Sequence, residues 1–263
     1  MGRITITGGA GRVAAAVRPF LADAGHDVHL LDVAEVTGLA PTETTAAVDV
    51  TDVDALAEAV RGCDLLVHLA SHADERPWPA IRDLNVESAW AAHEAAARAG
   101  VPRVLAASSV HAVGFLPSAH AAQDDVPLPR PDTFYGVSKV VLEAMGSLYA
   151  DRCGHVVVSA RIMTSEPEPS TARSLGTWLS PADAARLVEA ALVLDDPGHH
   201  VVWGVSRNTR CPVSHAAGEA VGFVALDDAE AFADRFDDAD KQAAARDVLG
   251  GVFATAPLGQ PTS

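Results

Sequence analysis

Tyr135 and Lys139 stand four residues apart in Tyr135-Gly136-Val137-Ser138-Lys139, in a chain that holds only two Tyr and two Lys. The segment from Phe134 to about Arg152 reads as a helix, with Val137, Val140, Val141, Leu142, Met145 and Leu148 as its buried side. Helical residues four apart share a face, so the phenol and the ammonium would point the same way. A positive charge nearby favours the phenolate and makes the tyrosine easier to ionise. A tyrosine poised in that way can pass a proton near neutral pH, where an unperturbed phenol does so poorly. An ordinary amphipathic helix could also carry this pair, so the rest of the chain has to decide.

The upstream elements supply a reason for that chemistry. Arg3 to Thr7 is a short β-branched run that reads as a first strand. It breaks at Gly8-Gly9-Ala10-Gly11 and passes into a helical pattern carrying Val13, Val17, Phe20 and Leu21. Glycine at 8 and 11 lets the backbone turn sharply and approach a pyrophosphate, whose charge would rest on the helix N-terminus. The next strand, Asp27 to Leu31, ends at Asp32. A carboxylate about 20 residues past such a turn can accept both ribose hydroxyls of NAD and would repel the 2′-phosphate of NADP. Read alone, Asp32 could also be an acidic loop residue.

Alternation of strands and helices continues along the chain. Thr44 to Val48 leads to Asp49-Val50, where an adenine could lie, and Asp52 is placed to cap a helix reaching Arg61. Asp64 to Leu69 reads as a strand buried on both faces. It ends in Ala70-Ser71, small enough for cofactor contact. A helix from about Pro79 to Ala99 bears Asn85, and Val101 to Ala107 is a strand with Ser108-Ser109 at its carboxyl end, the edge where open α/β sheets bind ligands. After the Tyr–Lys helix come a strand from His155 to Ile162 and an aperiodic stretch, Met163 to Leu179, that suits a substrate wall. Ser180-Pro181 then caps a helix to about Leu194, and His200 to Gly204 is the last strand. Two short helical patterns and an acidic stretch, Asp234 to Asp240, fill the tail. The acidic residues from Asp227 to Asp240 read as a solvated helix face.

The expected fold is therefore α/β: a Rossmann-like, doubly wound parallel sheet with a small C-terminal substrate-binding lobe. Residues 1–263 would form one domain, with substrate-binding segments near 163–179 and 205–263. A formal charge of −16 argues against nucleic acid and anionic membrane surfaces as partners. No run of about 18 apolar residues occurs, so neither a membrane span nor a signal peptide is expected. Cys63, Cys153 and Cys211, odd in number and without ligand spacing, suit a reducing cytoplasm. His68 and His72 straddle a strand end and His199-His200 are adjacent, so no metal is expected.

Thr7-Gly8-x-x-Gly11, Asp32, Asn85, Ser109 and Tyr135-x-x-x-Lys139 together resemble the extended short-chain dehydrogenase/reductase family over essentially the whole chain. Within it, the sequence looks most like the uronate dehydrogenases and related NAD-dependent sugar dehydrogenases. That likeness rests on Cys63-Asp64 through His68-Leu69, Ser108-Ser109-x-His111-x-x-Gly114, Pro167-Glu168-Pro169, Thr177-Trp178-x-Ser180, Val202-Trp203-Gly204 and Gly250-Gly251-x-Phe253. The resemblance implies that Tyr135 takes a hydroxyl proton while hydride leaves the same carbon for the nicotinamide. Lys139 would hold the nicotinamide ribose and lower the tyrosine pKa, and Ser109 would hydrogen-bond the reacting oxygen.

It further implies that NAD runs along Gly8, Gly11, Arg12 and Val13, past Asp32, Val33, Asp49 and Val50, to Leu69, Ala70, Ser71, Asn85, Ser108, Tyr135, Lys139 and Ile162. The substrate, a ring-closed sugar acid oxidised at C1, would lie among Ala73, Ser109, Val110, His111, Tyr135, Thr164 and Arg173, the last gripping its carboxylate. Val110 and Ala73 replace an Asn and a Ser typical of the uronate enzymes, which should weaken binding of a polyol. Such relatives form homo-oligomers. Two other readings share the scaffold: an epimerase or dehydratase that returns its hydride, and a regulatory protein that binds NAD without turnover.

Overall fold

The computed structural model describes residues 1–122, 126–237, 240 and 247–261. Of the expected acidic stretch, residues 238 and 239 lie outside the described residues, as do 241–246 and 262–263 of the tail. The chain opens with β1 (Arg3–Thr7), α1 (Arg12–Asp23), β2 (Asp27–Asp32), β3 (Glu43–Ala47), α2 (Val53–Ala59) and β4 (Leu65–His68). A helical column follows from Trp78 to Ala99, made of α3 (Trp78–Ala80), a π-helical stretch (Ile81–Val86) and α4 (Glu87–Ala99). Then come β5 (Arg103–Ser109), α5 (Phe134–Cys153), β6 (Val156–Ile162), β7 (Thr164–Ser165), α6 (Ser174–Thr177) and β8 (Trp178–Leu179). The described chain continues through α7 (Pro181–Val193), β9 (Gly198–Gly204) and α8 (Ala216–Ala220).

Among the described residues, seven strands form one sheet in the order β3-β2-β1-β4-β5-β6-β9, all parallel. The reversal of strand order beside β1 opens the crevice where α/β sheets take dinucleotides. Helices α1 and α7 cover one face and α2, α4 and α5 the other. Each layer buries an apolar cluster, with Ile4, Ile6, Leu21 and Leu30 in the first and Leu31, Leu56, Leu66 and Val104 in the second. Sheet residues buried on both faces explain why β4 and β6 read as nearly continuous apolar runs. The expected caps are in place. Asp52 accepts from the amides of Asp54 and Ala55, and Ser180 accepts from that of Asp183.

Two expectations are corrected. Phe20 is 41% exposed, because only Ala14, Val17 and Leu21 of α1 meet the sheet. More consequentially, α5 turns a different face inward. Tyr135, Ser138, Lys139, Leu142, Glu143, Gly146 and Tyr149 are buried, whereas Val137, Val140, Val141 and Met145 are half-buried and Leu148 is exposed. The inward face is polar because it borders a cavity and an ion pair. The Glu143 carboxylate meets the Arg161 guanidinium at 2.8 Å and accepts from Ser108 Oγ at 2.6 Å.

The stretch from Met163 to Leu179 is built rather than aperiodic: β7 pairs with β8, and α6 lies between them. Trp178 and Leu175 pack there on Ala229 and Ala233. A second satellite cluster joins Val110, Val113, Trp203, Val205, Val213 and Leu249. These two clusters stand apart from the two main core clusters.

Candidate active site

A cavity of about 690 Å³ runs along that edge from Asp32 to Phe253. At its first end Gly8 has φ +73, and a Cβ there would fall 2.9 Å from the Ala70 amide nitrogen. Only glycine fits both the conformation and the space. The Gly11 amide donates to Gly8 O at 2.9 Å and closes the turn. The first turn of α1 carries no acidic residue and no side-chain cap, so its free amides suit an anion such as a pyrophosphate. Asp32 is oriented by two backbone donors, Ala10 N at 3.0 Å and Ala34 N at 2.9 Å. Arg12, Val13, Val33, Asp49, Val50, Leu69, Ala70 and Ser71 continue this wall, with Val48, Leu84 and Ala107 added by the fold. A glycine cradle followed by a carboxylate on the next strand fits a dinucleotide.

Farther along, β5 and α5 bring Ser109, Tyr135 and Lys139 together. Ser109 ends β5, and its hydroxyl lowers the Tyr135 phenol pKa while accepting from His111 N at 3.2 Å. Lys139 Nζ donates to Ala107 O at 2.8 Å and to Ser71 Oγ at 3.2 Å, and lies 5.4 Å from the centre of the Tyr135 ring. Both side chains are almost fully buried. Burial pushes the Lys139 ammonium down to about 8. Tyr135 departs from the expectation that the lysine makes it easier to ionise. Burial pushes its phenol up to about 12, the Ser109 hydroxyl opposing this and the Asp132 and Asp74 carboxylates adding to it. Desolvation of the anion outweighs an ammonium set beside the ring.

The start of α5 is held by two residues that sequence reasoning missed. Thr133 Oγ1 accepts from Gly136 N at 2.9 Å. Glu75, fully buried, accepts from Tyr135 N at 2.8 Å, Phe134 N at 3.2 Å and Gly259 N at 2.8 Å. The first amides of a helix need such acceptors, and the carboxylate also suits the dipole. It joins the start of α5 to Gly259 in the tail, 184 positions from Glu75 itself, a link with no local signal in the sequence.

The far wall holds Ala73, Ser109, His111, Thr164, Ser165, Arg173, Val252 and Phe253. Arg173 donates to Thr164 Oγ1 at 3.2 Å and to Leu249 O at 2.8 Å, so its guanidinium is held at the wall. His111 stacks on Phe253, with ring centres 4.1 Å apart, and meets Tyr135 edge-on at 5.8 Å. Within 205–263 only Gly250, Val252 and Phe253, among the described residues, reach the cavity. Phe253 was visible as a motif residue but not as a wall.

Two residues expected at the site lie outside the cavity lining. Val110 does not line the cavity; it begins a 3₁₀ turn and is buried against the Trp203 and Val205 cluster. Its apolar character therefore serves packing, and only Ala73 removes a polar group from the wall. Asn85 is also absent from the wall. Its Oδ1 accepts from His72 N at 2.8 Å, and its Nδ2 donates to His72 O at 3.0 Å and to Ser138 Oγ of α5 at 3.2 Å. Ser108 reaches the wall but spends its hydroxyl on Glu143. Ile162 lines the cavity as expected.

Several histidines outside the cavity have ordinary hydrogen-bond partners. His68 Nδ1 bonds Thr7 Oγ1 at 2.9 Å, and burial lowers its pKa to about 3. His199 bonds Ser159 Oγ, and His200 bonds Asp196 O. Among the described residues no group of three or more His, Cys, Asp or Glu could hold a metal, and no helix is long and apolar enough to cross a membrane.

Residues 4–210 match the family described as NAD dependent epimerase/dehydratase. The chain is 37% identical over 236 residues to a uronate dehydrogenase of Pseudomonas syringae pv. tomato, covering 89% of this chain and 86% of that one. It is 33% identical to the uronate dehydrogenase of Agrobacterium fabrum, with 98% of each chain covered. The crystal structure of an Agrobacterium tumefaciens uronate dehydrogenase variant complexed with NAD superposes with a TM-score of 0.88 at 31% identity, again over 98% of each chain. With its glycine cradle, strand-end carboxylate and buried Tyr–Lys pair on one parallel sheet, the chain belongs to the NAD dependent epimerase/dehydratase family.

Proposed function

We propose that this chain is an NAD-dependent sugar dehydrogenase that oxidises a ring-closed uronic acid at C1 to an aldarolactone. One observation carries the reading: a buried Tyr135, with Lys139 and Ser109, lines the same cavity as a dinucleotide-type glycine turn and a wall bearing Arg173. Gly8, Gly11, Asp32, Ser71 and Lys139 would hold NAD, which supplies the hydride acceptor and, when oxidised, a positive charge. Asp32 supports NAD over NADP, since its carboxylate would repel a 2′-phosphate.

The chain's own residues then have separate tasks. Arg173 would receive the substrate carboxylate in a fork of N–H donors. Ser109 would donate to the C1 oxygen and Tyr135, as phenolate, would take its proton. Loss of that proton and of the C1 hydride leaves the C1–O double bond of the lactone, and the two electrons leave with the hydride. Because burial holds the free phenol near 12, the base form is scarce at neutral pH. Oxidation should therefore accelerate as pH rises. Lys139, its ammonium fixed by Ala107 O, would steady the cofactor ribose and favour the phenolate once charge accumulates nearby.

Incubation with NAD and a panel of uronic acids, neutral aldoses and sugar phosphates tests the reading by NADH absorbance. Accumulated NADH with uronic acids is expected. Sugar interconversion without free NADH would instead identify an epimerase, and cofactor binding without any turnover a regulatory protein.

We further infer a homo-oligomer in a reducing cytoplasm. The half-buried to exposed apolar row Val137, Val140, Val141, Met145 and Leu148 on α5 suits burial against a second copy. Cys63, Cys153 and Cys211 are all free thiols. Light scattering should give a mass above 27.2 kDa, falling on Leu148→Glu. A wild-type monomer would exclude the oligomer.

A further inference from the structure

Asp132 lies immediately before the Thr133 cap and has no assigned part in the chemistry, yet its carboxylate is completely buried. Its partners are His111 Nδ1, at 2.9 and 3.2 Å from its two oxygens, and the Thr133 hydroxyl at 3.1 Å. No Lys or Arg pairs with it among the described residues. Two glycines make room for it. A Cβ on Gly114 or on Gly250 would fall 1.9 Å from Asp132 Oδ2, and the Gly250 amide donates to Gly114 O at 2.8 Å between them. A buried carboxylate is costly unless hydrogen-bonded, so this pocket is built around the His111 contact.

His111 is held on every other side as well. Its amide donates to Ser109 Oγ at 3.2 Å, Phe253 covers one ring face, and Tyr135 abuts its edge. The side-chain hydrogen bonds of His111 among the described residues are made at Nδ1, and the ring lines the sugar end of the cavity. The proton on one imidazole nitrogen is set by the bond that nitrogen makes.

We propose that Asp132 is a positioning residue: by accepting Nδ1–H of His111 it fixes the ring's tautomer and leaves Nε2 as a hydrogen-bond acceptor for a substrate hydroxyl. The proposal rests on the sugar-acid reading of the cavity and adds a specificity element to it. A ligand with a hydroxyl at that point is favoured, and one without it leaves a buried acceptor unpaired. A purely structural Asp132, serving only the turn before α5, would not depend on His111.

A double-mutant cycle separates the two roles. Asp132→Asn in the wild-type background should raise KM for the best uronic acid about tenfold with KM for NAD unchanged, and should change KM by less than about twofold in a His111→Ala background. Equal losses in both backgrounds, or no change in KM from Asp132→Asn alone, would overturn the proposal. A second measurement needs neither turnover nor a folded variant at 132. ¹⁵N-histidine NMR of the wild-type protein, with the His111 signals assigned by their loss in His111→Gln, should show a protonated Nδ1 and an unprotonated Nε2. The opposite tautomer, or both nitrogens protonated, overturns it. Absence of uronic acid oxidation by the wild-type protein, with the expected tautomer present, would instead count against the substrate reading.

Discussion

At the dinucleotide end of the cavity, consecutive elements do the work: β1, the Gly8–Gly11 turn, α1 and β2 deliver the cradle and Asp32 in chain order. At the sugar end, each wall comes from a different part of the chain. Ala73 follows β4, His111 follows β5, Thr164 and Arg173 follow β6, and Phe253 arrives from the tail. Long-range bonds tie these pieces together, among them Arg173 to Leu249 O and Glu75 to Gly259 N. A local frame can hold a cofactor common to many enzymes, whereas an assembled wall can be altered piece by piece to suit a particular substrate.

That contrast predicts which kinetic constant each substitution moves. The largest effect is expected at the junction of the two ends. Tyr135→Phe keeps the ring but removes the proton acceptor, so kcat for uronic acid oxidation should fall by about 10³-fold, within the usual range for general acid–base catalysis. NAD affinity, measured by calorimetry, should stay within about twofold of wild type. Full activity in this variant would remove the tyrosine from the mechanism.

Arg173→Ala should act at the sugar end alone. Loss of a charge-assisted fork should raise KM for a uronic acid by about 10–100-fold, with much less change for a neutral aldose and none for NAD. Equal losses on charged and neutral sugars would deprive Arg173 of its proposed role. Asp32→Ala should do the reverse. KM for NAD should rise about tenfold and the preference over NADP should narrow, while KM for the sugar acid holds. Turnover with NADP equal to that with NAD in the wild type would contradict the role given to Asp32.

The smallest effect concerns stability. Burial lowers the Lys139 pKa from 10.5 to about 8, so the folded protein binds that proton less tightly than the unfolded chain does. The cost of the buried ammonium is present in full below pH 8 and is relieved as pH rises towards 10.5. Lys139→Met removes this dependence. Its melting temperature should therefore gain on the wild type by a few degrees between about pH 10 and pH 8, and by nothing more below that. A constant difference across the range would show that Lys139 is not desolvated.

What the sequence made legible follows the same division. β1, β2, the glycine turn and Asp32 could be read because residues close in the chain are close in the cavity. Asp52 and Ser180 were readable caps for the same reason. The inward face of α5 was misread because its apolar residues were taken for its buried ones, whereas Lys139, Ser138 and Glu143 are buried by the cavity and by Arg161. Val110 was read as a substrate contact because it stands at the motif position between Ser109 and His111, but in the 3₁₀ turn it packs in the Trp203 cluster. Glu75 and Asp132 left no trace, since their partners lie far along the chain or depend on two glycines meeting across it.

A uronic acid deuterated at C1 gives the most direct test of hydride transfer in this cavity. Turnover with NAD should deliver one deuterium to each NADH formed and yield a lactone without it, both visible by proton NMR. A product that keeps or regains the deuterium, with no NADH accumulating, would contradict the dehydrogenase assignment.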